Sequence, residues 1–336
     1  MHRILIAGGG GYIGKHLVDN LLREGHFVCV VDTSSSGLLC EGDLSHDIER
    51  CVILRFDVLE EEKLTFVLKH YQITKVINCA AWKVVTVSNS QPIEYFANNI
   101  GAVVSVTQAC LRSDLVDTLI FSGSASVYKD ALTQEGCVEP PDENCEITCQ
   151  SPYGATKYWG EQIQKTLLAN NGSSIRFYGL RYYNPVGFVG TRKQIQVFMD
   201  TDDSLPSRIL RTIEDGTNRI DVFGKDHLTE DGTCIRDFVH ILDLVDAHTI
   251  FLTQSIDSGI YNIGRGAGIS VLNLVKIFEA VYGVVIACDF KSRRPGEIVH
   301  SVADTRKIKS STKWRAKRSL LDAVESYICS KNHSVQ

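Results

Sequence analysis

The chain has 336 residues, of which 44% are hydrophobic, and a formal net charge of −5. This length allows either two domains or one large α/β unit with a smaller lobe. The mild negative charge gives no reason to expect a nucleic acid or a membrane surface as a partner, so neither is predicted. No apolar run approaches the roughly 18 residues that span a bilayer.

The eleven cysteines are odd in number, and no two of them form a CxxC pair. This usage is typical of reduced thiols in the cytosol, and we expect neither disulfides nor a metal site. The amino terminus, MHRILIAGGGGYIG, runs straight into a strand and a glycine turn without an export signal. We therefore expect a cytoplasmic protein.

The first half of the chain alternates short β-branched runs with amphipathic helical segments. The pattern predicts strands at 3–7, 27–31, 52–56, 75–79, 118–122 and 174–180, and helices at 13–24, 60–70, 93–113 and 152–170. The strands are apolar on both faces, as strands in a sheet covered by helices on both sides have to be. The predicted fold class is α/β, a doubly wound parallel (Rossmann) sheet with right-handed crossovers.

The alternation of strands and helices is lost after Asn184. Polar insertions at 190–196 and 200–204 interrupt the pattern, and no linker-like composition separates the two parts. The predicted division is residues 1–183 for the sheet domain and 184–336 for a smaller, intimately packed substrate-binding lobe.

A glycine-rich turn joins the first predicted strand to the first predicted helix. Gly8, Gly11 and Gly14 form a GxxGxxG spacing, and Asp32 ends the second strand. A pyrophosphate needs close backbone approach and a helix amino terminus, whose N–H groups are free. A carboxylate at the end of the second strand holds the adenosine ribose hydroxyls and favours NAD over NADP. Asp57, after the third strand, is a candidate for the adenine amino group or an ordinary turn aspartate.

A serine, a tyrosine and a lysine form the candidate catalytic set. Tyr153 and Lys157 stand four residues apart in SPYGATKYWGEQ, which places them on one face of a helix. Ser124 follows the fifth strand in FSGSASVY, and strand carboxyl ends are where open α/β sheets bind their ligands. We predict that Ser124 meets Tyr153 beside a nicotinamide ring.

Oxidation of a carbinol carbon requires a base on its hydroxyl group. Bringing a phenol from its usual pKa of about 10 to about 7 takes roughly 4 kcal/mol. One cation about 4 Å away supplies about that much at an effective dielectric constant of about 20. The charges of Lys157 and an oxidised pyridinium are therefore expected to act together on Tyr153.

With these motifs the sequence resembles the extended short-chain dehydrogenase/reductase family, and within it the UDP-glucose (UDP-galactose) 4-epimerases. The resemblance is carried by GGGGYIGKH, FSGSASVY, SPYGATK, LRYYNPVG, VFGKDHLTEDGTCIRDFVH and SRRPGEIVHSVAD, which run from Gly8 to Asp304. It implies that Tyr153 takes the C4 hydroxyl proton of a UDP-hexose, with Ser124 assisting and Lys157 binding the nicotinamide ribose. Hydride would pass to tightly held NAD and return to the other face of the 4-keto sugar.

The resemblance also implies binding residues. Positions matching the NAD site are Gly8, Gly11, Tyr12, Ile13, Gly14, Asp32, Asp57, Val58, Cys79, Ala80, Lys83, Asn98, Ser122, Tyr153, Lys157 and Tyr183. Positions matching the UDP-sugar site are Lys83, Ser124, Tyr153, Asn184, Ser204, Leu205, Arg236, Arg294, Glu297 and Ser301. The arginines also fit without the family, because guanidinium groups clamp a pyrophosphate bidentately.

The sequence departs from the family pattern on the substrate side. The stretch 129–150 is longer than usual, Ser204 stands where an asparagine is expected, and 190–204 matches poorly. Ser301 stands where some relatives carry a bulky tyrosine, which suggests room for UDP-GlcNAc and UDP-GalNAc; a surface serine after a turn is the alternative.

Two further interpretations remain. One is a 4-epimerase of another nucleotide sugar, UDP-glucuronate or a UDP-pentose. The other is a non-catalytic dinucleotide sensor on the same fold, although such proteins commonly lose the tyrosine or the lysine. Family members often dimerise through two helices, here 93–113 and 152–170, so a homodimer is expected.

Overall fold

The structure is a computed structural model that describes residues 1–33, 48–132, 138–294 and 296–332. Its chain forms two compact units. The first unit comprises Met1–Val127, Ser151–Arg181 and Val245–Tyr261, and the second comprises Tyr128–Gln150, Tyr182–Leu244 and Asn262–Gln336. The chain therefore passes between the units several times, and the long stretch 129–150 belongs to the second.

The described elements follow in chain order. The strands are β1 (Arg3–Ala7), β2 (Phe27–Asp32), β3 (Cys51–Arg55), β4 (Lys75–Asn78), β5 (Thr118–Ser124), β6 (Arg176–Tyr182), β7 (Asn184–Val186), β8 (Arg219–Phe223), β9 (Ile235–Arg236), β10 (Phe238–His240), β11 (Gly259–Ile263), β12 (Ile269–Ser270), β13 (Ala287–Lys291) and β14 (His300–Ser301). The helices are α1 (Tyr12–Arg23), α2 (Glu61–His70), α3 (Val85–Ser90), α4 (Pro92–Ser113), α5 (Pro152–Asn170), α6 (Arg192–Thr201), α7 (Leu205–Glu214), α8 (Ile241–Thr253), α9 (Val271–Tyr282), α10 (Arg306–Ser311) and α11 (Leu320–Asn332).

A seven-stranded sheet forms the centre of the first unit. Its strand order is β11-β6-β5-β4-β1-β2-β3, and the pairs β1–β2, β1–β4, β2–β3 and β4–β5 are parallel. The predicted doubly wound parallel sheet is confirmed. The strand order reverses between β1 and β4, and ligands of such sheets bind outside the carboxyl ends at this switch point.

The buried strands account for the stability of the first unit. Val28, Val30 and Val31 of β2 are fully buried, as are Leu119 and Ile120 of β5. Burying each such side chain contributes about 1.5–3 kcal/mol, so the sheet is a rigid support for the loops at its edge.

The second unit combines small sheets with stacked aromatic rings. β7 pairs with β10, β8 with β13, and β9 lies between β12 and β14. Phe198 of α6 stacks on Tyr327, which also stacks on Phe278. The sequence predicts that the polar stretches 190–196 and 200–204 interrupt the regular structure. This prediction is wrong, because α6 with its two cap residues occupies most of both stretches. A capping box between Thr191 and Gln194 starts this helix.

Within the described ranges, no helix combines the length and the apolar character needed to cross a membrane. Cys29, Cys79, Cys110, Cys234 and Cys288 are free thiols. Burial raises the pKa of Cys29, Cys79 and Cys110 to about 12, which keeps these thiols protonated and unreactive.

Candidate active site

The turn between β1 and α1 lies at the switch point of the sheet. Gly8 has a φ of +77°, and a Cβ there would come within 2.7 Å of the Ala80 backbone nitrogen. A Cβ on Gly14 would come within 2.4 Å of the Gly8 carbonyl oxygen. Both glycines are therefore required by the protein itself: one by a left-handed backbone and one by the close approach of helix to strand.

Gly11 differs from these two glycines. Its φ is −78°, and the described atom nearest to an added Cβ is the Gly8 carbonyl oxygen at 3.5 Å. A Cβ would fit the fold at this exposed helix N-cap, so the fold itself does not require glycine here, and its absence leaves room for a ligand. The Gly10 N–H donates to the Asp32 carboxylate at 2.8 Å, which fixes that carboxylate beside the turn. The helix amino terminus and the carboxylate fit the diphosphate and ribose of NAD.

The residues after β3 have structural roles of their own. The Asp57 carboxylate accepts the Leu59 N–H at 3.0 Å, so it acts as a turn aspartate here. Val58 is buried in the core, and its carbonyl accepts a hydrogen bond from the Ser105 hydroxyl. The predicted contacts of Asp57 and Val58 with the adenine side stay predictions.

The candidate catalytic side chains come together at the carboxyl end of β5. Ser124 is the last residue of this strand, and its hydroxyl hydrogen-bonds to that of Ser126 at 2.7 Å. It also lies close enough to the Tyr153 phenol to act on its pKa. Tyr153 lies in the first turn of α5, where its N–H donates to the Ser88 hydroxyl at 3.2 Å. Gly154 lets α5 start this close, because a Cβ there would lie 2.4 Å from the Ser126 carbonyl oxygen.

Burial of the Tyr153 hydroxyl raises its pKa to about 12, while the nearby Ser124 hydroxyl acts in the opposite direction. The polypeptide alone therefore holds the phenol protonated. Lys157 lies 5.8 Å from the centroid of the tyrosine ring, and its charge alone does not lower the phenol pKa below the usual value. Ionisation requires a further positive charge, as expected for an oxidised nicotinamide.

Lys157 is 4% exposed, and its ammonium donates to the Ser122 carbonyl oxygen at 2.7 Å. Burial lowers its pKa to about 8, although Cys79 and Glu161 favour the charged form. The lysine therefore projects into the interior beside the strand ends, next to Ser122 and Cys79. The predicted roles of these residues in binding NAD stay predictions.

Two structural features behind these side chains were missed by sequence reasoning. Glu161 is fully buried one turn after Lys157, and its carboxylate binds Arg181 of β6 through contacts of 2.9 and 2.6 Å. Asn99 is buried, binds the Trp82 backbone through its carbonyl and amide groups, and donates to Thr156 of α5 at 3.0 Å. The spacing of four from Lys157 to Glu161 was a usable signal, whereas the Asn99 contacts have none in a single sequence.

The remaining predicted site residues of the first unit differ in their burial and in their hydrogen bonds. Asn98 donates to the Asn99 side chain at 3.0 Å, and the Ala80 N–H donates to Asn78 at 3.2 Å. Lys83 is exposed. Tyr12 is buried at the start of α1, and Ile13, next to it, is half-buried.

In the second unit, three predicted substrate residues lie on neighbouring strands or beside them. Arg236 of β9 donates to the Val299 carbonyl oxygen at 3.3 Å, and its guanidinium lies 3.9 Å from the Glu297 carboxylate. Ser301 of β14 is the register partner of Arg236. These residues form a half-buried, polar cluster.

A second arginine cluster surrounds an aromatic ring at the end of β8. The Arg294 guanidinium stacks 3.7 Å from the centroid of the Phe223 ring, and that of Arg208 in α7 lies 5.9 Å from it. Burial lowers the pKa of Arg294; the charge of Glu297 acts in the opposite direction, and those of Arg208 and Arg236 add to the lowering. Within the described ranges neither Arg208 nor Arg294 is ion-paired, so the cluster suits an anion. Sequence reasoning missed Arg208.

Four further predicted residues lie elsewhere in this unit. Tyr183 is buried, and its N–H donates to Ile263 at 3.1 Å. The Asn184 amide donates to the Asp237 carbonyl oxygen at 3.2 Å. Ser204 is the N-cap of α7 and Leu205 its first residue.

The switch-point turn, the ordered acidic residue at the end of β2 and the Ser124–Tyr153–Lys157 set define a class, the dinucleotide-binding α/β enzymes. The family model described as "NAD dependent epimerase/dehydratase family" matches residues 4–264. The chain belongs to this family.

Similar proteins cover almost the whole chain. The UDP-glucose 4-epimerase of Yersinia enterocolitica is 35% identical, with 96% of this chain and 95% of the relative covered. That of Bacillus subtilis is 33% identical over 94% of this chain and 93% of the relative. A crystal structure of the Stenotrophomonas maltophila UDP-glucose-4-epimerase, with bound NAD and formylated UDP-arabinopyranose, superposes with a TM-score of 0.87 at 29% identity over 98% of both chains.

Proposed function

We propose that this protein is an NAD-dependent UDP-glucose 4-epimerase, which interconverts UDP-glucose and UDP-galactose at C4. The observation that carries the proposal is the placement of Ser124 at the end of β5 beside Tyr153 in the first turn of α5, with the buried ammonium of Lys157 one helical turn away. Relatives with this activity share about a third of their residues with this chain over nearly its full length.

The cofactor would be held at the carboxyl edge of the sheet. The N–H groups around Gly11 would bind the diphosphate, Asp32 the adenosine ribose, and Lys157 the nicotinamide ribose. Bound NAD supplies the capacity to accept a hydride from C4 and to return it. Residues 1–183 would carry most of this site, and residues 184–336 the UDP-sugar site.

Tyr153 would take the proton of the C4 hydroxyl and later return it. In the protein alone its pKa is about 12, and the positive charge of oxidised NAD would lower it when the cofactor is bound. Ser124 would relay the proton, since its hydroxyl lies beside the Tyr153 phenol and bonds to that of Ser126. The base would thus form only in the loaded enzyme.

The arginines of the second unit would hold the UDP group. Arg294 and Arg208 flank Phe223, and Arg236 lies beside Glu297, so guanidinium groups are available for a diphosphate and a carboxylate for ribose hydroxyls. Tyr183, Asn184, Ser204 and Leu205 would complete the site around the sugar and the uracil.

Tyr153→Phe tests the proposed function. Loss of the phenol removes the proton acceptor, so turnover of UDP-galactose should fall by about 10²–10⁴-fold while NAD remains bound. Tyr158→Phe, the same change one turn and a half along α5, should keep full activity. Wild-type protein that binds NAD but turns over no UDP-galactose would contradict the proposal.

We further propose that the protein also accepts UDP-GlcNAc and UDP-GalNAc. Ser301 is small and half-buried next to the Arg236 cluster, so it would leave room for an N-acetyl group. Ser301→Tyr should then abolish turnover of UDP-GalNAc and spare that of UDP-galactose. Wild-type activity on UDP-galactose with none on UDP-GalNAc would rule the wider range out.

We also propose a cytoplasmic location and a homodimer formed through α4 and α5. The eleven cysteines, with no CxxC pair, are typical of reduced thiols in the cytosol. Both helices carry exposed apolar side chains, among them Ile93 and Trp159.

A further inference from the structure

Three side chains of the second unit converge although they are distant in sequence. His227 and Cys234 stand at the two ends of one loop, and Glu297 follows the Arg294 turn. One ligand atom from each, a ring nitrogen, a sulfur and a carboxylate oxygen, lies within 4.8 Å of the other two. Nitrogen, sulfur and oxygen donors in this number are what zinc sites use.

The imidazole of His227 is an unexplained polar group. The residue is only 7% exposed, and neither ring nitrogen has a hydrogen-bond partner among the residues that the structure describes. Leaving a buried polar group without a partner costs about 1–3 kcal/mol. A ligand that accepts a nitrogen lone pair would remove this cost.

The ring has little freedom to turn away. Gly224 has a φ of +73°, and a Cβ there would lie 2.2 Å from His227 Nε2, so the Nε2 edge of the imidazole abuts this turn and Nδ1 is the nitrogen left for a ligand. The loop itself is closed by the His227 N–H, which donates to the Gly232 carbonyl oxygen at 3.1 Å. Cys234, at the end of the loop, is 2% exposed.

We propose that His227, Cys234 and Glu297 bind one Zn²⁺ ion, with water in the fourth position. Zinc bonds of about 2.0–2.3 Å separate tetrahedral ligands by roughly 3.3–3.8 Å, so ligand atoms within 4.8 Å of one another need to close by at most about 1–1.5 Å. The metal replaces the thiol proton of Cys234, which leaves to solvent as the Zn–S bond forms.

A cavity of about 470 Å³ offers the ion a way in. It is lined by Glu297 together with Lys129, Asp130 and Gln150. Asp130 adds negative charge near Cys234, whereas the Arg236 guanidinium opposes a cation there. The site should therefore suit a tightly coordinated transition metal and bind Mg²⁺ or Ca²⁺ poorly, since a thiolate is a soft ligand.

An occupied site would change how the protein binds its substrate; this consequence rests on the proposed function. Glu297 is shared, because it also lies 3.9 Å from Arg236 and is a proposed ligand of the UDP ribose. Zinc would draw its carboxylate away from both. The ion is thus expected to weaken UDP-sugar binding without touching Ser124, Tyr153 or Lys157.

Cobalt provides a direct test of the site. Full-length protein treated with a chelator should bind one Co²⁺ per chain, with a thiolate-to-cobalt charge-transfer band that Zn²⁺ abolishes. Cys234→Ser and His227→Phe should each remove the band, while Cys288→Ser, which alters another free thiol of the same unit, should keep it. Absence of the band from the wild type, or its persistence in both His227→Phe and folded Cys234→Ser, would overturn the site.

The effect on substrate is measured separately. Saturating Zn²⁺ should raise the KM for UDP-galactose about tenfold, which corresponds to the loss of about 1.4 kcal/mol, and leave kcat unchanged. Cys234→Ser should show no response to Zn²⁺. An unchanged wild-type KM with the metal bound would refute the coupling, whereas an inactive protein that still shows the cobalt band would refute the proposed function alone.

Discussion

Burial acts on Tyr153 and Lys157 in the same sense, against the charged form of each side chain. Burial raises the pKa of Tyr153 to about 12 and lowers that of Lys157 to about 8. In both cases it disfavours the charged form, and the charged forms are those that the proposed reaction needs. The site is therefore arranged for a state that the polypeptide alone does not favour, which is common where side chains are kept for chemistry.

Lys157→Met should stabilise the NAD-free protein at neutral pH while abolishing activity. Below about pH 8 the lysine is charged in both the folded and the unfolded state, and burial of its charge costs up to roughly 3 kcal/mol. Between about pH 8 and its usual 10.5 only the unfolded chain keeps the proton, so wild-type stability rises with pH. Methionine has the same reach and no charge, so its Tm advantage should be largest below pH 8 and vanish near pH 10.5.

Thermal unfolding of both proteins across this pH range measures the difference directly, because titrations common to both cancel. Lys63→Met, on the exposed face of α2, should show no such pH-dependent gap. A Lys157→Met protein less stable than the wild type at pH 7 would mean that the contacts of the ammonium outweigh its burial.

At the scale of elements, the β1–α1 turn contains two kinds of glycine. The fold requires two of them, and the proposed ligand requires the third. Gly8 and Gly14 are enclosed by backbone atoms, whereas Gly11 has open space around it. A glycine pattern in the sequence shows all three alike. Only the surroundings of each position distinguish them.

Gly14→Ala and Gly11→Ala should therefore fail in different ways. The first places a methyl group 2.4 Å from the Gly8 carbonyl oxygen, so it should lower both the Tm and NAD affinity. The second costs the helix N-cap less than about 1 kcal/mol and should leave the Tm almost unchanged. Its methyl group would stand where the diphosphate has to approach, so NAD affinity should fall by more than about tenfold. Normal NAD binding by Gly11→Ala would place the diphosphate elsewhere.

The local pattern predicted the first unit well for a physical reason. Strands buried on both faces, such as β2 and β5, are continuous apolar runs, and the helices between them repeat every three to four residues. The pattern was less informative for α6, whose sequence is largely polar; its start signal was the Thr191–Gln194 capping box. Buried contacts such as that of Glu161 with Arg181 depend on partners distant in sequence, which no local pattern reports.

At the scale of the whole molecule, the chain does not change unit at one point. The seventh strand of the sheet, β11, comes from residues 259–263, and the stretch 128–150 lies within the second unit. Loss of alternation after Asn184 is a local signal, and such a signal does not show a later return of the chain to the sheet. The convergence of His227 and Cys234 with Glu297 is hidden for the same reason.

The proposed homodimer predicts that the exposed faces of α4 and α5 become buried between two subunits. α4 exposes Ile93, Phe96 and Val104 on one helical face, and the neighbouring α5 exposes about half of Trp159. A large apolar surface on paired helices is typical of a buried interface, and a stable one covers about 1,600 Å². Val104→Glu combined with Trp159→Glu would bury four charges across a twofold interface, two from each subunit, so sedimentation should show a dimer for the wild type and a monomer for this variant.

Phe66→Glu, an equally drastic change at an exposed position of α2, should remain dimeric. A wild type that sediments as a monomer, or a double variant that stays dimeric, would mean that α4 and α5 do not form the interface.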